Sequence, residues 1–263
     1  MNLFEAIILS IIEGLTEFLP VSSTGHMILA SSIMQIHKDE FVKTFEIVIQ
    51  LGAIFTIVLL YAKRFLRSLT IYYKLSFAFL PTAVIGLLAY KTIKEVLFNP
   101  YVVSTSLIIG GIILIIIDRW VVEKESKVAD VEEVSYKNAF FIGLMQCVSM
   151  VPGVSRAAAT IVGGVMNGFN KKQATEFSFL LAVPTMIAAA GYDLMKSDIQ
   201  FSSDQILILV VGLVLSFIFA WIAVKIFVKI VENYGFKHFG YYRIAIGVLF
   251  LSYMLLNGIS TFQ

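Results

Sequence analysis

The 263-residue sequence predicts an all-α integral membrane protein, with six transmembrane helices and two re-entrant helix hairpins in an inverted-topology repeat. Three observations lead there. Hydrophobic residues make up 59% of the chain and charged residues 14%, against about 45–50% and about 25% in soluble domains. Six apolar runs come close to the roughly 20 residues that a bilayer span needs. Two further apolar stretches are too long for one span and are broken internally by Pro, Gly, Ser and charged residues.

The first broken stretch covers 3–34. Its opening Met-Asn-Leu-Phe-Glu lacks a basic region and a small-residue cleavage site, so it does not read as a removable signal. Spans follow near 44–62, 76–97 and 101–118. The most polar part of the chain, 123–135, then reads as a cytoplasmic linker. The second broken stretch, 139–169, precedes spans near 176–195, 205–224 and 244–259. The organisation is a first repeat over 1–122 and a second over 136–263, together one membrane domain. A shift of 132 places Pro20 on Pro152 and Ser23 on Ser155, and Phe45-Glu46 and Glu176-Phe177 open the next run in each half. One hairpin plus three spans is an odd number of crossings, so the second half starts on the opposite face. Lysine and arginine placement agrees. Lys63, Arg64, Arg67, Lys74, Arg119, Lys124, Lys127, Lys137, Lys171, Lys172, Lys225, Lys229 and Lys237 fall on one side, and only Lys38, Lys43, Lys91, Lys94 and Lys196 on the other. The first side is therefore cytoplasmic, with both termini outside. Broken helices of inverted repeats meet near the midplane, their N-termini aimed at anions.

Composition excludes several functions. A single cysteine, Cys147, rules out an internal disulfide and reads as a packing residue, and no Cys/His spacing suggests zinc. A net charge of +2, with bases at span ends rather than in a stripe, argues against nucleic acid and leaves membrane lipid as the neighbour.

The chemistry lies in the two interruptions. The first runs Glu13-Gly-Leu-Thr-Glu17-Phe-Leu-Pro20-Val-Ser22-Ser23-Thr24-Gly25-His26. Glu13 and Glu17 share a helix face by their spacing of four, and Pro20 ends that helix near Leu19. Ser22, Ser23 and Thr24 can cap the helix that restarts, whose free N–H groups make an anion cradle. The second runs Pro152-Gly-Val-Ser155-Arg156-Ala-Ala-Ala-Thr160. A guanidinium matches phosphate oxygens, and at a helix centre it costs about 2.5–3.5 kcal/mol even on the lenient insertion scale. Arg156 and Glu17 could also pair simply to hold the hairpins together. Glu46 and Glu176 read as helix-start charges at the interface, and Gly110-Gly111 and Gly163-Gly164 as close helix contacts.

Both interruptions together resemble the bacterial undecaprenyl-diphosphate phosphatases, also described as bacitracin-resistance proteins, along the full chain. The resemblance implies hydrolysis of undecaprenyl diphosphate to undecaprenyl phosphate and phosphate, which recycles the lipid carrier for cell-wall synthesis and gives bacitracin resistance. It implies a divalent cation, Mg²⁺ or Ca²⁺, and a bacterial inner membrane location with an active site opening outward. A polyprenyl diphosphate lipid is the implied partner, and a homodimer is compatible with the chain. By motif position the candidates are Glu13, Glu17, Ser23, His26, Ser155, Arg156 and Thr160. Ala157-Ala158 stands where the family commonly has Ser-Gly, a departure at positions without an assigned role.

In the mechanism this suggests, Glu13 and Glu17 hold the metal and Arg156 stabilises the transferring phosphoryl group, with Ser22, Thr24, Ser155 and Thr160 as further substrate contacts. The nucleophile stays open: Ser23 with His26 as its base, His26 itself, or a metal-activated water. The Thr24-Gly25-His26 and Ser155-Arg156 fragments echo phosphatidate-type phosphatases, but that family's later His and Asp and its Lys/Arg-Pro motif are missing. A prenyl-phosphate transporter or flippase of the same fold is the alternative.

Overall fold

The computed structural model describes residues 1–92, 100–120, 130–196 and 201–256. Most of the polar linker, with Lys124 and Lys127, and Lys94 in the first half lie outside the described residues. Every regular element among those described is helical. In chain order they are α1 (Leu3–Thr16), α2 (Ser23–Ile33), α3 (Glu40–Leu60), α4 (Ala62–Arg67), α5 (Thr70–Thr92) and α6 (Pro100–Trp120), then α7 (Tyr136–Cys147), α8 (Arg156–Met166), α9 (Lys171–Lys196), α10 (Ser203–Tyr234) and α11 (Lys237–Leu256).

Six of these, α3, α5, α6, α9, α10 and α11, are long and apolar enough to cross a membrane. The protein is accordingly a multi-pass membrane protein. At 14, 11, 12 and 11 residues, α1, α2, α7 and α8 are each too short to cross alone. Polar residues start the helices as capping chemistry requires: Asn2 and Glu5 form a capping box on α1, Ser202 and Gln205 one on α10, and Asp39 and Ser135 cap α3 and α7. Two span limits differ most from expectation. Helix α10 continues to Tyr234, because its cationic end still carries apolar residues on the buried side, among them Val224, Phe227 and Val231. Helix α11 begins at Lys237 rather than near 244, which places Arg243 inside the span.

Packing exchanges partners between the halves. Helix α1 lies on α10, α7 on α5, α3 on α9 and α10, and α6 on α11. Small residues permit this. A Cβ on Gly14 of α1 would stand 2.6 Å from the Ser216 carbonyl oxygen of α10, and one on Gly143 of α7 would collide with the Ala78 carbonyl of α5. Gly163 and Gly164 are similarly tight against Met145, Phe169 and Ala174. Prolines inside α5 and α9 are followed by Thr82 and Thr185, and the buried Gln146 amide of α7 donates to both hydroxyls, at 2.8 and 3.2 Å. Two Pro-interrupted spans are thereby tied to one short helix.

At one end of the bundle, charges join helix termini. Arg64, just after α3, donates to Glu176 of α9 at 2.6 Å and to Asp130 before α7 at 2.7 Å. Lys171 meets Asp118 at the end of α6 (2.6 Å), and the Asp118 carboxylate also accepts from the Phe236 N–H at the entrance to α11 (2.8 Å). Glu176, five residues into α9, thus has a specific partner in Arg64.

Candidate active site

Each break in the apolar pattern becomes a short helix, an irregular turn and a second short helix. In the first, α1 ends at Thr16, three residues before the limit expected from Pro20, since the turn begins as soon as the chain approaches the proline. Glu17 keeps helical dihedrals and its N–H still bonds the Glu13 carbonyl at 2.9 Å, so the two carboxylates stay on one face. Helix α2 then starts from Ser22, whose Oγ accepts the Gly25 N–H at 3.3 Å. In the second, Ser155 caps α8 by accepting the Ala158 N–H at 3.2 Å.

Ser22 and Ser155 have φ of 72° and 75°. A left-handed conformation is uncommon for a non-glycine residue and costs of order 1–3 kcal/mol, a strain that gathers at functional sites. In cap role and backbone conformation Ser22, rather than Ser23, corresponds to Ser155.

The breaks meet through side chains. Arg156 donates from Nη2 to Glu17 Oε1 at 3.1 Å and from Nη1 to the Ser178 carbonyl at 2.9 Å, and its fork lies over the Phe18 ring, 5.7 Å from the centroid. Its Nε–H has no partner. The other oxygen of Glu17, Oε2, accepts from Ser23 Oγ at 2.5 Å. One carboxylate therefore bridges the serine hydroxyl of one break and the guanidinium of the other.

A pocket of about 190 Å³ opens on this bridge, lined by Glu17, Ser22, Ser23 and Thr24 from the first break and by Ser149, Met150, Pro152, Gly153, Ser155 and Arg156 from the second, with Gln50 and Met186 completing it. Four expected residues of the first break and both Ser155 and Arg156 of the second are on its wall. Three others are not. Thr160 is 1% exposed; its hydroxyl bonds Ser178 Oγ at 2.7 Å and the Arg156 carbonyl at 2.9 Å, and it is buried off the pocket wall rather than on it. His26 also departs from its expected pairing with Ser23. Its Nδ1 contacts the Ser22 carbonyl oxygen at 2.8 Å and its Nε2 the Tyr242 hydroxyl at 2.7 Å, while the Ser23 hydroxyl is directed to Glu17. One helical turn separates the two residues, but α2 turns the imidazole toward α11. Glu13 lies wholly buried below the pocket.

Gln50 and Ser149 were missed by sequence reasoning. Gln50 carried a usable signal, an uncharged polar side chain in mid-span, where such residues mark functional sites. Ser149 did not, since it falls in the short apolar turn between α7 and the proline.

Whether these residues suit a divalent cation turns on Glu13. Neither of its carboxylate oxygens has a donor, and one oxygen of Glu46, which lies within electrostatic reach, is likewise unpartnered. Buried carboxylates without donors are costly unless a cation or proton meets them. No group of three or more His, Cys, Asp or Glu side chains forms a protein-only cage among the described residues. Mg²⁺ is commonly held by one or two carboxylates plus substrate phosphates and water. The donor set fits that kind of site. Glu46 lies six residues inside α3 rather than at its start.

The family model of the bacitracin resistance protein BacA matches residues 6–249. A protein of Wolinella succinogenes named undecaprenyl-diphosphatase is 50% identical over 254 residues, covering 97% of this chain and 99% of its own. Proteins of the same name from Persephonella marina and Aquifex aeolicus are 46% and 48% identical, each covering 97% of this chain and 100% of its own. The Glu13–His26 and Pro152–Thr160 runs and all helical residues except the start of α1 and the end of α11 fall within the match, and the chain belongs to the bacitracin resistance protein BacA family.

Proposed function

We propose that this protein hydrolyses undecaprenyl diphosphate to undecaprenyl phosphate and inorganic phosphate, recycling the lipid carrier for cell-wall synthesis and thereby conferring bacitracin resistance. The observation that carries the reading is the Ser23–Glu17–Arg156 chain at the pocket floor, which sets a hydroxyl, its proton acceptor and a phosphate-binding cation side by side. The near-full-length relatives named undecaprenyl-diphosphatase supply the substrate.

The chemistry follows from the contacts. Glu17 Oε2 takes the proton of Ser23 Oγ as that oxygen attacks the terminal phosphorus. The bond to the bridging oxygen breaks and undecaprenyl phosphate leaves. Water then cleaves the phosphoserine, releasing phosphate and returning the proton to Ser23. Arg156, with Nε–H unpartnered, and the backbone N–H groups at the starts of α2 and α8 meet the charge that builds on the phosphoryl oxygens. Ser22, Thr24 and Ser155 offer hydroxyls on the pocket wall, and Thr160 acts through Ser178 and Arg156. His26, held by Tyr242, orients the start of α2. Glu13 with Glu17 would hold Mg²⁺ or Ca²⁺, which when bound supplies charge neutralisation to the diphosphate.

The same reading makes α1–α2 and α7–α8 re-entrant hairpins of an inverted repeat, divided at 1–122 and 136–263. Its support is the order of helices, the matched caps at Ser22 and Ser155, and the exchanged packing of α1 on α10 and α7 on α5. The site then lies near the midplane of the bacterial inner membrane and opens outward, leaving the prenyl tail in lipid. Purified protein in detergent, given a prenyl diphosphate, tests the function: stoichiometric phosphate release is expected, and binding without turnover would instead favour a transporter.

A further inference from the structure

Arg243 is not itself on the pocket wall, yet it touches both breaks. It lies in α11 with 0% exposure and has no carboxylate partner among the described residues. All five of its N–H donors are instead used on main-chain carbonyls. Nη1 donates to Pro20 at 3.0 Å and to Val154 at 2.8 Å, and Nη2 to Gly153 at 2.8 Å and to Ser106 at 3.0 Å. Nε donates to Leu107 at 3.3 Å. Pro20 is two residues before the Ser22 cap, and Gly153 and Val154 immediately precede the Ser155 cap.

Room for this fork is built into α6. Ser106 and Leu107 stand four residues before Gly110 and Gly111, so no side chain covers the carbonyls that accept from Arg243. A Cβ on Gly110 would collide with Nη2. An ammonium could not replace the guanidinium, because its three donors on one atom cannot serve five carbonyls spread over three segments.

We infer that Arg243 is a positioning residue of the active site: it fixes the two breaks against each other and against α6, which sets the spacing of Ser23 and Glu17 from Arg156, without itself touching substrate. The inference rests on the phosphatase reading for its catalytic consequence, but its structural content does not. Misplacement of a reacting group by about 1 Å costs about a hundredfold in rate, so a guanidinium that sets that spacing controls turnover from a distance.

Two variants separate geometry from charge. Arg243→Lys keeps the charge and loses the fork; Gly110→Ala keeps the arginine and pushes it off its carbonyls. Gly191→Ala is the control, since a Cβ there meets nothing within 4 Å. Phosphate release from a prenyl diphosphate and hydrogen–deuterium exchange are measured on all three and on the parent protein. Expected for both test variants is a kcat lower by about tenfold or more, a KM changed by less than about threefold, and faster exchange in peptides 18–26 and 149–158 together. Turnover within about twofold of the parent in either variant, faster exchange in one break only, or failure of both variants to fold would overturn the inference. A parent protein without turnover would sink the phosphatase reading alone, as the exchange result needs no activity.

Discussion

Glu17 carries more of the site than any other side chain, because its two oxygens serve different partners, Oε1 facing Arg156 and Oε2 facing Ser23. Glu17→Gln keeps the shape but removes the proton acceptor and the charge partner of a buried guanidinium, and phosphate release should fall about a thousandfold or more. Arg156→Lys tests the phosphate clamp, since a point charge cannot hold Glu17, the Ser178 carbonyl and a phosphate oxygen together. A loss of about a hundredfold in kcat is expected; turnover near that of the parent protein would remove Arg156 from the mechanism. Acid quench of a reaction with terminally labelled substrate should leave label on Ser23, whereas label found only in free phosphate at every time would point to direct attack by water. These residues were legible as a set from the two interruptions. The Ser23–Glu17 pairing was not, since helical spacing makes His26 an equally good neighbour of Ser23, and only the turn at Pro20 brings Glu17 back over α2.

The short helices stand or fall with close approach to the spans of the opposite half. Gly143→Leu on α7 would drive its side chain into the Ala78 carbonyl and should destabilise the protein by about 1–3 kcal/mol, as overpacking does. Gly191→Ala on α9 should leave the melting temperature unchanged or raise it, since a Cβ there meets nothing within 4 Å and a glycine inside a helix costs about 0.5–1 kcal/mol. Thermal melts in one detergent compare the two. Asp130 gives a pH signature outside the membrane. Partial burial pushes its carboxyl up, but the Glu132 N–H and the Arg64 guanidinium outweigh this and hold it below its ordinary 3.8. A depressed carboxyl adds stability that is present above the unfolded value and lost as pH falls through the folded one. The tie between α4 and the segment before α7 should therefore persist at neutral pH and weaken below about pH 4, and Asp130→Asn should remove that part of the acid sensitivity in melts across pH. Span ends were only partly legible. A window of apolar residues stops at a charge, so the pattern starts α11 after Arg243, whereas the structure satisfies that charge with carbonyls two turns inside the helix.

For the whole molecule, an inverted repeat with the pocket open to the outside predicts opposite accessibility for two exposed lysines. With Cys147 replaced by Ala, an impermeant maleimide applied to intact cells should label Lys38→Cys, while Lys63→Cys should react only after permeabilisation. Equal labelling of both from outside would contradict the topology. Pattern and composition alone establish the set of pieces: six apolar runs define the spans, since a bilayer demands a length, and two polar interruptions define the site, since buried charge is too costly to keep without use. How the pieces meet is a matter of three-dimensional packing. Whether Ser23 faces His26 or Glu17, whether Thr160 reaches the pocket, and which carbonyls receive Arg243 depend on contacts between residues far apart in the chain. Local propensity carries no information about those distances, and only packing between the two halves supplies it.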